Sequence, residues 1–108
     1  MDEQILVALK DNLQITWEDE TTNRTLMRYI TASKTFLNGL CETEFSFDEG
    51  SVEYELLLER CRYAWNNATD EYEPNFQRDL KRLILRTAVS KRKAGEEIEQ
   101  TEGTSDVE

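Results

Sequence analysis

Tyr63-Ala64-Trp65-Asn66-Asn67-Ala68-Thr69-Asp70-Glu71-Tyr72-Glu73-Pro74-Asn75-Phe76 closes the third of four helical patterns and opens the fourth. Stepping about 100° per residue from Leu57 puts Cys61, Ala64 and Ala68 on one stripe, widened by Tyr54, Leu58, Trp65 and Tyr72. Val52, Leu56 and Tyr63 form a second apolar arc beyond the polar sector of Glu55, Glu59, Arg62 and Asn66. One arc is enough to close a core, so the second calls for a further packing partner. That partner is either another helix of the chain or another subunit, which makes Val52, Leu56 and Tyr63 subunit-interface candidates. The third helix is expected to start after Ser51, a good N-cap, and to end about Tyr72. Pro74 then fits the first turn of the fourth, where its missing N–H costs nothing. Asn67, Asp70 and Asn75 read as turn-setting residues whose side chains bond nearby backbone groups.

Downstream, Phe76, Leu80, Leu83 and Thr87 make the inward stripe of the fourth helix, widened by Ile84. Arg78, Lys81, Arg82 and Arg86 lie opposite, with Leu85 among them. Upstream, Asp2 is expected to cap a first helix through about Leu13, with Ile5, Leu6, Leu9 and Leu13 on one side. Residues 14–17 connect it to the second and tuck Ile15 and Trp17 against the bundle. Trp17 is either a plug or an interface anchor. Thr16-Trp17-Glu18-Asp19 resembles a capping box with Asp in the fourth place. The second helix then runs from about Asp19 or Thr22 to Leu40, using Leu26, Tyr29, Ile30, Ser33, Leu37 and Leu40, with Gly39 near its end. Residues 42–50 form a loop in which Phe45 and Phe47 plug the core.

The 108 residues therefore predict an all-α, small four-helix bundle over residues 1–93 and an extended acidic tail over residues 94–108. The tail holds six acids, no bases, and only Ala94, Ile98 and Val107 as apolar residues. It should stay mobile unless a partner holds it. No apolar run reaches membrane-spanning length, and no export signal opens the chain. Cys41 and Cys61 fall in apolar helical patterns as core thiols, which suits a reducing cytoplasm. The chain has no histidine, no phosphate-binding loop and no nucleophile motif, so no enzyme, cofactor or metal is expected. The adjacent acids Asp48 and Glu49, or Asp70 and Glu71, could hold a divalent ion only if a pocket formed around them.

Charge narrows the partners. Residues 1–93 carry 17 acids and 13 bases, and the tail brings the net charge to −10. That balance opposes sequence-specific DNA binding, which rests on phosphate neutralisation. Yet residues 78–93 hold seven bases (Arg78, Lys81, Arg82, Arg86, Lys91, Arg92 and Lys93) against Asp79 alone. With Leu85, these form either a solvated face that complements the helix C-terminus or a docking surface for an acidic partner. Binding to nucleic acid is a third reading, opposed by the acidic body.

Arg62-Tyr63-Ala64-Trp65-Asn66-Asn67-Ala68-Thr69-Asp70-Glu71-Tyr72 followed by Asn75-Phe76 resembles a signature of tailed-bacteriophage head–tail connector proteins. That signature reads aromatic, spacer, Asn-Ala-x-Asp-x-aromatic, then Asn-aromatic. Leu13-Gln14-Ile15-Thr16-Trp17-Glu18-Asp19-Glu20, leading to Leu37, is similar to the same family's opening, so the resemblance covers most of residues 3–88. It implies a helical adaptor, or head-completion, subunit in a ring of usually twelve copies. Such a ring docks beneath the portal protein after DNA packaging and extends the channel toward the tail. The implied location is the virion neck, after synthesis in the host cytoplasm. Implied partners are the portal, copies of the chain itself, and a downstream neck or tail-completion protein. DNA would pass through the lumen without specific binding. Trp65 and Asn66 stand where the family often has small or basic residues, and the acidic tail is unusually long. The competing class is a soluble acidic helical regulator, either a DNA-mimicking inhibitor or an antitoxin-like binder. A mimic spreads carboxylates over a whole surface, whereas here the bases cluster on one helix.

Overall fold

The computed structural model describes the backbone of residues 2–103 and the side chains of residues 2–93. It is an all-α bundle of four helices: α1 (Asp2–Asn12), α2 (Glu20–Cys41), α3 (Val52–Trp65) and α4 (Thr69–Gly103). There is no strand among the described residues. The expectation of a tail mobile unless held concerns residues 94–108, which lie outside the described side chains.

α3 is the centre of the bundle, and its sequence says why. Leu56, Leu57 and Leu58 are consecutive and all buried. Three neighbours on a helix point about 100° apart, so the helix must be covered on more than one side. α2 packs on α3 with Leu26, Ile30 and Leu37 buried in the shared core, and α4 packs on it with Tyr72, Leu80 and Leu83 buried, Tyr72 reaching the Leu56 carbonyl. The second arc is thus met largely within the chain. Among the described residues α1 and α4 make no contact; each packs on the α2–α3 pair. Buried Ser33 of α2 accepts hydrogen bonds from Arg60 Nη1 (3.2 Å) and the Cys61 thiol (3.6 Å), so the one polar side chain in this core is satisfied.

Three helix ends share one geometry, and none uses glycine. At α1, Ile15 N–H donates to Lys10 O (2.8 Å) and Gln14 N–H to Asp11 O (3.1 Å), with Gln14 at φ 60°. At α2, Thr43 N–H donates to Asn38 O (3.0 Å) around Glu42 at φ 52°. At α3, Ala68 N–H donates to Tyr63 O (2.8 Å) and Asn67 N–H to Ala64 O (3.1 Å), with Asn67 at φ 58°. These are Schellman ends carried by left-handed Gln, Glu and Asn. Several sequence expectations are corrected as a result. α3 stops at Trp65 rather than Tyr72, and Gly39 lies inside α2 while Glu42 ends it. The cap of α2 is Asp19, accepting from Thr22 N–H at 3.0 Å, not Thr16. Asp2 is the first helical residue of α1 and pairs with Lys34. Ser51 caps α3 as expected, accepting from Tyr54 N–H at 3.1 Å.

Left-handed backbone costs an L-residue roughly 1–2 kcal/mol, less the entropy a glycine would lose. Gln14 and Glu42 are exposed, so Gln14→Gly and Glu42→Gly remove no packing. Each should raise stability by about 0.5–1 kcal/mol, seen as a melting temperature a few degrees higher. No gain at either position would show that the strain is absent.

Pro74 lies inside α4 rather than in its first turn, and Phe76 leaves helical geometry at φ −113°, ψ 19°. A proline removes the hydrogen bond to the carbonyl four residues back, and the helix kinks there. The kink brings Tyr72 and Phe76 into a stack (5.0 Å, 29°), with Tyr63 edge-on to both at 5.8 and 5.6 Å. Asn75 Nδ2 donates to the Tyr63 hydroxyl at 3.0 Å, and the Tyr72 hydroxyl donates to Leu56 O at 2.9 Å. The turn residues therefore divide their work. Asn67 sets the corner, Asn75 locks the aromatic cluster, and Asp70 sits exposed in the first turn of α4.

Cys41 and Cys61 are free and buried. Burial pushes the Cys61 thiol up from 9.0 to about 11, and it raises Cys41, Tyr54 and Tyr72 as well. A raised folded value means the neutral form is favoured by folding. That stability is complete below pH 9 and is lost as pH climbs through 11. Melting temperature should hold from neutral pH to 9 and fall between 9 and 11, with a smaller fall in Cys61→Ala. An identical fall in both proteins would remove the thiol as a cause.

Candidate functional site

Helices α3 and α4 diverge beyond their shared core and leave an open groove of about 950 Å³. Leu56, Phe76 and Leu83 form its floor; Val52, Leu85 and Val89 form its apolar rim. These rim residues are 42%, 66% and 41% exposed, against 5% for Leu56 below them. Their uncovered state follows from the α4 sequence. Arg82, Leu85, Arg86 and Val89 recur at three- and four-residue spacing on the side away from Leu80 and Leu83.

The charges around the groove are mixed but unevenly engaged. Arg86 reaches Glu53 at 3.8 Å, and Glu59 is held by Arg62 at 2.6 Å. Among the described residues, no carboxylate pairs with Arg78, Lys81 or Arg82, which are exposed along α4. Lys91, another of the docking candidates, is bonded within the chain. Its ammonium donates to the carbonyls of Cys41 and Glu42, supplying a cation to the C-terminus of α2. Arg92 and Lys93 continue the exposed side of α4.

The groove lining is mixed in charge, with Glu55, Glu59 and Asp79 beside Arg82 and Arg86, whereas the α1 side is acidic. Residues 2–20 hold six acids and one base, Lys10, which is bound to Glu18 (2.9 Å) and Asn23 (3.0 Å). Val7, 59% exposed, lines a depression together with Asp11, Asp48 and Glu49. Trp17, 50% exposed, projects from the α1–α2 connection instead of tucking in beside buried Ile15. Glu18 and Asp19 beside it have their carboxyls held below the usual range, first by hydrogen bonds from Lys10 and Thr22 respectively.

Of the four interface candidates, the structure leaves two on the surface. Trp17 and Val52 are exposed, whereas Leu56 is buried under α4 and Tyr63 is taken into the aromatic cluster. The docking candidates Arg78, Lys81, Arg82, Leu85 and Arg86 share one exposed side of α4. Sequence reading passed over Val7 and Val89. Both had a signal: Val7 lies off the Ile5–Leu9 stripe, and Val89 follows Leu85 by four residues on the basic side.

Chemically, this arrangement offers association: exposed apolar side chains framed by charge. Among the described residues, no three His, Cys, Asp or Glu side chains are grouped to hold a metal ion. Nor is any described helix long and apolar enough to cross a membrane. No family model matches the chain, and no curated protein or solved structure matches it either.

Proposed function

We propose that the chain is a structural subunit of a phage head–tail connector, forming a ring that docks on the portal and extends the DNA channel. The observation that carries this reading is the uncovered groove of Val52, Leu85 and Val89, with Arg82 at its edge and Arg78 and Lys81 next to Leu85 in the adjoining depression. An apolar patch flanked by charge on a small protein marks a surface that another protein covers. The residues behind the family resemblance support it indirectly. Asn67, Tyr72, Asn75 and Phe76 build the α3–α4 corner that aims the groove outward.

In this reading the basic side of α4 faces an acidic surface of a neighbour or of the portal. Exposed ion pairs contribute only about 0–1 kcal/mol each, so many must act together around a ring. The segregated charge disfavours the DNA-mimic alternative, which needs carboxylates on all sides. The test is to mix the full chain with the portal protein from the same genome and image the product. A ring of this chain seated on the portal is the expected result. Unchanged portal particles would reject the connector reading and favour a soluble helical regulator.

A further inference from the structure

One depression on the surface is lined by bases and by no acid: Gln77, Arg78, Lys81, Arg82 and Leu85, all from α4. Leu85 is 66% exposed, and no ion pair among the described residues engages Arg78, Lys81 or Arg82. Asp70 and Glu73 line the depression on the other side of Lys81 without pairing with it. The same chain holds a sequence of complementary kind. Residues 94–108, whose side chains lie outside the described residues, contain six acids and no base, and Asp106-Val107-Glu108 sets an aliphatic residue between two carboxylates. We propose that residues 102–108 fold back onto Arg78, Lys81, Arg82 and Leu85 of their own α4 and cover them in the free subunit, so that a partner's acidic surface must displace them. The partner in that statement rests on the connector reading; the contact within the chain does not.

Reach decides how the contact can form. The α4 backbone is helical through Gly103, and in that form Gly103 stands about 30 Å along the axis from Arg82. The five residues after it span no more than about 17 Å, so closure requires α4 to open further back. The sequence makes Gly95 the weak point. Glycine is a poor helix former, and Glu96, Glu97, Glu99 and Glu102 set negative charge at the negative end of the helix dipole. No base in the last turn offsets them. Opened at Gly95, residues 95–108 extend to about 45 Å, against about 20 Å back to Arg82. Opening thus moves carboxylates from a helix end that repels them to bases that hold no carboxylate. Each pair is exposed and weak, but within one chain the partners meet at an effective concentration in roughly the millimolar range. A covered fraction lowers the affinity for any outside partner in proportion.

The test places a nitroxide on Ser105→Cys in the full chain and reads the broadening of backbone amides by NMR. Cys41 and Cys61 are buried, so the label goes to position 105. In the closed form the amides of Arg78, Lys81 and Arg82 should broaden, whereas a helix continuous to Gly103 holds the label too far away. The broadening should fall at least about twofold at 1 M salt, where screening shortens to about 3 Å. It should vanish when Glu102→Gln, Asp106→Asn and Glu108→Gln are added to the labelled chain. An isotope-labelled chain mixed with a spin-labelled one of natural abundance should show none, because the contact lies within one molecule. With deca-glutamate as the acidic probe, the neutralised chain should bind about two- to fivefold more tightly than wild type. No broadening, broadening indifferent to salt and to neutralisation, broadening in the mixture, or equal affinity for the probe would each overturn the proposal. A ring on the portal alongside any of those failures would leave the connector reading standing. Broadening that meets every expectation, without a ring on the portal, would do the reverse.

Discussion

Tyr72→Ala is expected to be the most damaging single substitution in the chain, lowering stability by about 3–5 kcal/mol. A bundle of this size has roughly 5–15 kcal/mol in total, so much of the population would unfold near body temperature. Tyr72 is 1% exposed, stacks on Phe76 at 5.0 Å and receives Phe36 and Tyr63 edge-on. Removing the ring opens a cavity that the kinked backbone at Phe76 is poorly placed to close. Its hydroxyl also ties α4 to the Leu56 carbonyl of α3 at 2.9 Å. Tyr72→Phe isolates that bond and should cost only about 0.5–1.5 kcal/mol. Urea unfolding of the three proteins would decide it. A Tyr72→Ala protein within 1 kcal/mol of wild type would mean that the aromatic cluster does not hold α4 in place.

The legible part of this fold is the part written in side-chain period. Ile5 and Leu9, Leu26 through Leu37, and Leu80 with Leu83 announce their helices and inward faces by spacing alone. The ends were harder to read because the left-handed positions carry Gln14, Glu42 and Asn67, where glycine would have marked them. Gly39, close to the end of α2, misdirects by lying inside that helix. Tyr72 fits the α3 stripe by angle, and only the corner at Asn67 transfers it to α4. The second arc of α3 shows the same limit. Periodicity says that Val52, Leu56 and Tyr63 want a partner, but it does not say which. The chain supplies α4 for two of them and leaves Val52 at the groove. Lys91 bonding the end of α2 is a contact across 50 residues, beyond any local pattern.

In the connector reading, reversing Arg82→Glu and Arg86→Glu together should abolish head joining while leaving the subunit folded. Both residues are exposed, and only Arg86 has an ion pair, a long one of 3.8 Å to Glu53. Placing Glu there sets two carboxylates near each other, at a cost to the isolated chain of no more than about 1 kcal/mol. Between subunits the arithmetic differs. Each reversal removes an attraction of about 0–1 kcal/mol and adds a repulsion of similar size. The loss at one interface is thus roughly 1–3 kcal/mol, and a closed ring repeats it at every interface. The measurement is phage titre when the variant complements a virus lacking this chain, with imaging of the capsids left behind. Filled heads without tails are the expected product. Normal titre from a folded variant would remove the basic side of α4 from assembly, and with it the charge argument for the ring.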